Sequence, residues 1–181
     1  MIEMTGDATV EQLYRRIRDV PNFPRPGVVF KDITPLLLDA ALFRRAIELM
    51  AAPFRKFGVS RVISIESRGF LLGAPIALAL EAGLVPIRKP GKLPAERGRV
   101  EYALEYGTDA LEMHRDAVSP ADRVLIVDDV LATGGTAEAA AKLVRAHDSA
   151  VVGFTFLLEL DFLKGRERLR GERVEALLHY T

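Results

Sequence analysis

Apolar residues alternate along this chain between two spacings. Short, nearly continuous runs at Arg61–Glu66 (RVISIE), Leu84–Arg88, Val124–Val127, Ala150–Leu160 (AVVGFTFLLEL) and Val174–Tyr180 have the length of strands in a buried parallel sheet. Between them lie stretches at helical spacing. Thr9–Val20 puts Val10, Leu13, Tyr14 and Ile17 on one face, with Thr9 and Gln12 at capping-box spacing. Asp39 stands where it can cap a second helix, whose stripe is Phe43, Ala46, Ile47, Met50 and Phe54. Pro53 within that stripe predicts a kink or an early end, and Gly58 a stop. Phe70–Ala82 reads as a largely apolar helix ended by Gly83, and AEAAAKLVRAH (137–147) as another. DFLKGRERLR (161–170) is a charged helical stretch. Strands alternating with helices imply parallel βαβ units, so the predicted fold is α/β, a mainly parallel sheet flanked by helices.

Two segments interrupt the alternation. PNFPRPGVVFKDITP (21–35) carries four prolines; the first three and Gly27 stiffen the chain ahead of Val28. Lys89–Pro94 (KPGKLP) is too rich in Pro and Gly to be regular. After it, Val100–Tyr106 and Asp109–His114 flank Gly107–Thr108 as a hairpin. These insertions, near 21–35 and 89–114, predict a small hood over the carboxyl edge of the sheet, where open α/β sheets bind ligands. With no repeat, linker or low-complexity tract, the 181 residues predict a single domain, 1–181.

Composition narrows the function classes. Hydrophobic residues make up 49%, enough to exclude a disordered chain. Lys plus Arg is 25 and Asp plus Glu is 25, a balance that disfavours nucleic acid as a partner. The absence of cysteine rules out disulfides and thiolate chemistry and fits a cytoplasmic protein. The opening MIEMTGDATVEQ lacks the apolar core of a signal peptide, and no apolar run approaches the ~18 residues of a membrane span. His114, His147 and His179 are too dispersed in sequence to suggest a metal cluster.

Candidate chemistry concentrates in Val124–Thr136, VLIVDDVLATGGT. A buried strand ends in two adjacent carboxylates, Asp128 and Asp129. Then comes the loop Ala132-Thr133-Gly134-Gly135-Thr136 and the 137–147 helix. Glycines let backbone N–H groups turn inward without a side chain in the way, and the helix aims its positive end at the same spot. The result is a phosphate cradle with acceptors beside it. A Walker loop needs Gly-x4-Gly-Lys-Ser/Thr and a dinucleotide fingerprint needs Gly-x-Gly-x-x-Gly after a strand; neither occurs. Amides for a 5′-phosphate and carboxylates for ribose hydroxyls, or for magnesium-bound water, suit a phosphorylated sugar.

This stretch resembles the 5-phosphoribosyl-1-pyrophosphate (PRPP) motif of type I phosphoribosyltransferases. With PGVVFKDITPLL, ESRGFLLGAP, RKPGKLP and YALEYGTDALEMH, in that order, the chain resembles the adenine phosphoribosyltransferase family over nearly its whole length. The resemblance implies the type I phosphoribosyltransferase fold and the purine-salvage reaction adenine + PRPP ⇌ AMP + pyrophosphate. It also implies a Mg2+ requirement and a homodimer. Carried over residue by residue, it assigns the 5′-phosphate to Ala132, Thr133, Gly134, Gly135 and Thr136, and the ribose hydroxyls or magnesium-bound water to Asp128 and Asp129. Pyrophosphate falls to Arg68, Arg88, Lys89 and Lys92. The backbone of Val29 and Lys31 faces the adenine edge, with Phe30 stacked on its ring. Glu105, in YALEYG, stands near N7 as the catalytic carboxylate, either exchanging a proton or stabilising charge. No metal site built from protein alone is expected. Rival readings are the same fold with xanthine, hypoxanthine or orotate as base, a PRPP-sensing regulator, and a structural oligomer. The last leaves the cradle unexplained.

Overall fold

The computed structural model describes residues 6–103 and 108–181. Contacts within the chain divide it into two compact units, Met1–Ile47 and Glu48–Thr181.

In the first unit, helix α1 (Gly6–Tyr14) leads to strand β1 (Arg18–Pro21), which pairs antiparallel with β2 (Val29–Asp32). A one-turn helix α2 (Thr34–Leu37) follows, and α3 (Ala40–Ala51) starts here and runs past the boundary. Leu13, Ile33 and Leu36 are buried. The helix expected over Thr9–Val20 is therefore too long at its C-terminal side. Its last turn tightens, with Arg16 N donating to Leu13 O and Ile17 N to Tyr14 O, and the chain becomes extended at Arg18. Pro21 disfavours a helical Val20, and Val20 pairs with Phe30 across the ladder. The helix also starts at Gly6, so Thr9 lies inside it and is buried rather than capping it. Asp39 does cap α3: its Oδ1 accepts from Leu42 N at 3.1 Å. α3 ends at Ala51, and Ala52–Phe54 continues as a 3₁₀ turn containing Pro53, the early end its ring predicts.

The second unit holds β3 (Arg61–Ile65), α4 (Gly69–Ala79), β4 (Gly83–Ile87), β5 (Arg97–Ala103), β6 (Thr108–His114), β7 (Arg123–Leu131), α5 (Gly135–Arg145), β8 (Ala150–Leu160) and β9 (Val174–Tyr180). Its sheet has the order β4-β3-β7-β8-β9, and every neighbouring pair is parallel. The chain first crosses from β3 outward to β4, then returns to lay β7 on the other side of β3. The strand order thus reverses between β3 and β7, and such switch points open a crevice at the strands' carboxyl ends. β5 and β6 form a separate antiparallel pair, joined to the end of β4 by a bridge between Arg88 and Glu112. That pair starts three residues earlier than the sequence pattern indicates; the expected hairpin turn lies outside the described residues.

Ile63, Ile126 and Phe154 are fully buried in the centre of the sheet, and Phe154 stacks with Phe156 at 6.5 Å. Burying each such side chain contributes about 1.5–3 kcal/mol. The small face of α5 (Ala137, Ala140, Ala141, Val144) is buried with them. The charged 161–170 stretch is not an α-helix. It makes two 3₁₀ turns, Asp161–Leu163 and Gly165–Leu169, separated by Lys164 in a left-handed conformation (φ 54°) that no α-helix tolerates.

Candidate active site

At the switch point, β7 continues through both aspartates. The strand's pleat turns them to opposite faces: Asp129 is 5% exposed and Asp128 half-buried. Asp128 Oδ1 accepts the Asp129 N–H at 2.9 Å. Arg68 Nε lies 2.8 Å from Asp129 Oδ2, an ion pair by distance, yet no well-aimed hydrogen bond reaches that buried oxygen. Burial pushes the Asp128 carboxyl well above its ordinary 3.8, and the Asp129 charge adds to the shift. Burial raises Asp129 too, with Arg68 opposing. Asp129 Oδ2, a buried acceptor without an aimed donor, is suited to receive a hydroxyl group or a cation's water. Gly69 lets α4 start against them, since a Cβ there would lie 2.8 Å from Asp128 Oδ1.

Beyond β7 the chain turns through Gly134, which is left-handed (φ 80°) and caps α5 without any side-chain hydrogen bond. The first-turn N–H groups of α5 have no intrahelical acceptor, so this end presents donors and positive potential. A cavity of about 70 Å³ opens there, lined by Asp128, Ala132, Thr133, Gly134, Thr136 and Phe156 among others. The glycine is needed for a further reason besides the one expected from sequence. A Cβ on Gly134 would collide with the Gly165 carbonyl, and one on Gly165 with the Ala132 carbonyl. The Gly165–Leu169 turn thus packs backbone to backbone against the cradle loop.

The expected pyrophosphate cations each face a carboxylate. Arg88 Nε donates to Glu66 Oε2 at 2.9 Å and Lys92 Nζ to Glu66 Oε1 at 2.8 Å. Lys89 Nζ donates to Asp109 Oδ2 at 2.8 Å. Burial works against the Glu66 anion, but hydrogen bonds from Lys92, Arg88 and the Lys89 N–H hold its pKa below the usual value. The Asp109 hydrogen bond raises Lys89, and Lys89 lowers Asp109 in turn. Tyr102 extends this group to the cradle: its hydroxyl lies 3.4 Å from Asp109 Oδ2 and 3.4 Å from Thr136 Oγ1. The structure therefore gathers Arg68, Asp128, Asp129 and the cradle at one strand end, and ties Arg88, Lys89 and Lys92 into one ion-paired loop.

In the first unit, Val29, Phe30 and Lys31 lie on β2. Val29 is exposed, Phe30 packs edge-on against Phe23 at 5.1 Å, and Lys31 Nζ donates to Asp19 Oδ1 at 2.6 Å. Glu105 lies outside the described residues. Sequence reasoning missed Glu66, Tyr102, Asp109 and Gly165. Glu66 could have been flagged as a carboxylate placed right after a buried strand and before Arg68; the others had no local signal. Of the three histidines, too dispersed in sequence to suggest a metal cluster, His179 lies beside Glu159 and Asp161, their ligand atoms within 4.8 Å of one another. Glu159 there already accepts Arg166 Nε on both oxygens, at 3.0 and 2.8 Å, so this cluster is an ion-pair network.

Comparison with known proteins points the same way. The phosphoribosyl transferase domain family matches residues 37–173. An adenine phosphoribosyltransferase of Myxococcus xanthus is 59% identical over 177 residues, covering 98% of this chain and 96% of its own length. The crystal structure of adenine phosphoribosyltransferase from Rhodothermus marinus superposes with a TM-score of 0.93 at 51% identity, covering 96% of this chain and 99% of that one. The Saccharomyces cerevisiae enzyme, complexed with an imino-altritol bisphosphate and adenine, gives 0.89 at 39% identity over 95% of this chain and 99% of its own. The fold is that of the type I phosphoribosyltransferases, and the chain belongs to the adenine phosphoribosyltransferase family.

Proposed function

We infer that the chain transfers the 5-phosphoribosyl group from PRPP to adenine, giving AMP and pyrophosphate in purine salvage. The 5′-phosphate sits on the first-turn N–H groups of α5 and on the Ala132–Thr136 loop, where a helix N-terminus favours an anion. Asp128 and Asp129 take the ribose 2′- and 3′-hydroxyls or magnesium-bound water. The Asp129 Oδ2 atom, buried without an aimed donor, fits either. These two residues would hold the metal through its waters, as magnesium sites commonly do. When bound with PRPP, magnesium supplies positive charge beside the pyrophosphate.

As the bond from C1 of the ribose to the pyrophosphate oxygen breaks, adenine N9 bonds to that carbon. Positive charge develops on the sugar, as in glycoside hydrolysis, and negative charge on the leaving group. Arg68, Arg88, Lys89 and Lys92 receive the pyrophosphate, so their charge counts most when the bond is breaking. Adenine must give up one ring proton: with the base bound as its N7–H tautomer, N9 has a free lone pair to attack C1, and Glu105, near N7, takes that proton or steadies the shifting charge.

Adenine presents an N6 donor and an N1 acceptor, which a 6-oxopurine reverses. The backbone of Val29 and Lys31 reads that edge and Phe30 takes the ring face, so a mismatched base leaves buried groups unpaired. We further assign residues 1–181 to one functional domain, acting as a cytoplasmic homodimer. The observation that carries this reading is the buried Asp129 and half-buried Asp128 next to the left-handed Gly134 turn at the sheet's switch point. Chromatographic detection of AMP from adenine, PRPP and Mg2+ tests it. Absence of AMP with folded protein would reject it.

A further inference from the structure

We propose that Glu66 is a positioning residue for the pyrophosphate subsite: its carboxylate holds Arg88 and Lys92 in place before substrate arrives. The inference rests on the assignment of those two cations to pyrophosphate. Glu66 follows β3 at the switch point, and its side chain is 8% exposed. Its own N–H donates to Ile87 O at 3.0 Å, which anchors it to the end of β4. One carboxylate oxygen takes Arg88 Nε at 2.9 Å and the Lys89 N–H at 3.2 Å; the other takes Lys92 Nζ at 2.8 Å. A single anion therefore fixes the backbone and two side chains of the 88–92 loop.

A second buried carboxylate secures the same loop from the hairpin side. Glu112 is 3% exposed, and its Oε2 accepts the Gly91 N–H at 3.0 Å. Its backbone exchanges hydrogen bonds with Arg88, at 2.9 and 2.7 Å. Without Glu66, the Arg88 and Lys92 charges it brings together would repel each other, and both long side chains would regain their rotamer freedom. PRPP would then have to order them on binding, which weakens affinity.

Glu66 does not have to leave for pyrophosphate to bind. Arg88 engages Nε with Glu66 and Nη1 with the Lys92 carbonyl at 3.4 Å, leaving Nη2 as a further donor. Lys92 has three donors and gives one to Glu66. Each cation can bridge the carboxylate and a phosphoryl oxygen. This distinguishes a positioning role from a competing one, in which Glu66 would act as an internal stand-in for pyrophosphate and hold ligand affinity down.

The test uses the full chain with Glu66→Gln, which keeps shape and removes charge. Calorimetry measures pyrophosphate binding with Mg2+ and AMP binding separately, because AMP carries the 5′-phosphate and base but no pyrophosphate. Positioning predicts a loss of about tenfold or more for pyrophosphate and a matching rise in the PRPP KM. AMP affinity should change less than about twofold, since its contacts lie elsewhere. Unchanged or tighter pyrophosphate binding would overturn the proposal, and so would equal losses for AMP and pyrophosphate. Glu66→Asp, which keeps the charge and withdraws it by one methylene, should show the same selective loss to a smaller degree; no selectivity in either variant rejects the role. Arg88→Ala separates the premise: if it leaves pyrophosphate affinity intact, the assignment of that cation fails. If Arg88→Ala weakens binding and Glu66→Gln does not, only the inference about Glu66 fails.

Discussion

Asp128 and Asp129, proposed to take the ribose hydroxyls or magnesium-bound water, are a burden on the ligand-free fold. Burial raises both carboxyls above the ordinary 3.8, and the Asp129 charge raises Asp128 further. A carboxyl whose folded pKa is raised binds its proton more tightly in the folded state. Its stabilising contribution is therefore complete below about 3.8 and is lost as pH rises through the raised folded value. Toward pH 8 the ligand-free pair therefore increasingly disfavours folding. Asp128→Asn removes one charge, so the ligand-free variant should melt higher than the parent at pH 8, by about 2–4 °C for each kcal/mol recovered. The gap should shrink toward pH 4, while turnover with PRPP falls. Scanning calorimetry at both pH values reads this; a variant that melts lower at pH 8 contradicts it. Glu105 carries the other residue-scale prediction. A group felt mainly in the transition state changes kcat rather than KM. Glu105→Ala should lower kcat by roughly two orders of magnitude and move the adenine KM by less than about tenfold. A near-normal kcat with a large adenine KM would make Glu105 a base-holding residue instead.

At the scale of elements, the cradle depends on a segment that contributes no side chain to it. The Gly165–Leu169 turn lies against the Ala132–Gly134 backbone so closely that neither Gly134 nor Gly165 has room for a Cβ. Gly165→Ala should push the Ala132 carbonyl, and the loop with it, out of position. We expect PRPP and AMP affinities to fall together by about tenfold or more, with far-UV circular dichroism unchanged. Unchanged affinity for both would mean that the turn is only a neighbour. The same segment shows where local pattern stops being informative. β8 matched its apolar run because a buried parallel strand encodes itself locally; β9, an edge strand with only Leu178 buried, matched its run as well. Residues 161–170 read as helical, but Lys164 adopts a left-handed conformation that spacing does not reveal. β1 was hidden within a helical stripe because it is set by its partner: Val20 is extended where it can pair with Phe30. Glu66 was missed for a similar reason. Its role is visible only once residues 88–92, more than twenty positions along, are brought to it.

Across the whole molecule, the mainly parallel sheet was legible in its apolar runs, and the strand, loop and helix of Val124–Thr136 because they occupy consecutive residues; the strand order β4-β3-β7-β8-β9 was not. The cations' carboxylate partners were not, because charge balance over the chain says nothing about which charges meet. Of the described residues, no helix is long and apolar enough to cross a membrane. What the whole assembly must do is choose one base. Adenine phosphoribosyl transfer requires a preference for that base, and kcat/KM measured side by side for adenine and hypoxanthine, at saturating PRPP and Mg2+, reads it. Adenine should be preferred by at least about a hundredfold, because mispairing a buried polar edge costs several kcal/mol. Comparable kcat/KM for the two bases would contradict it.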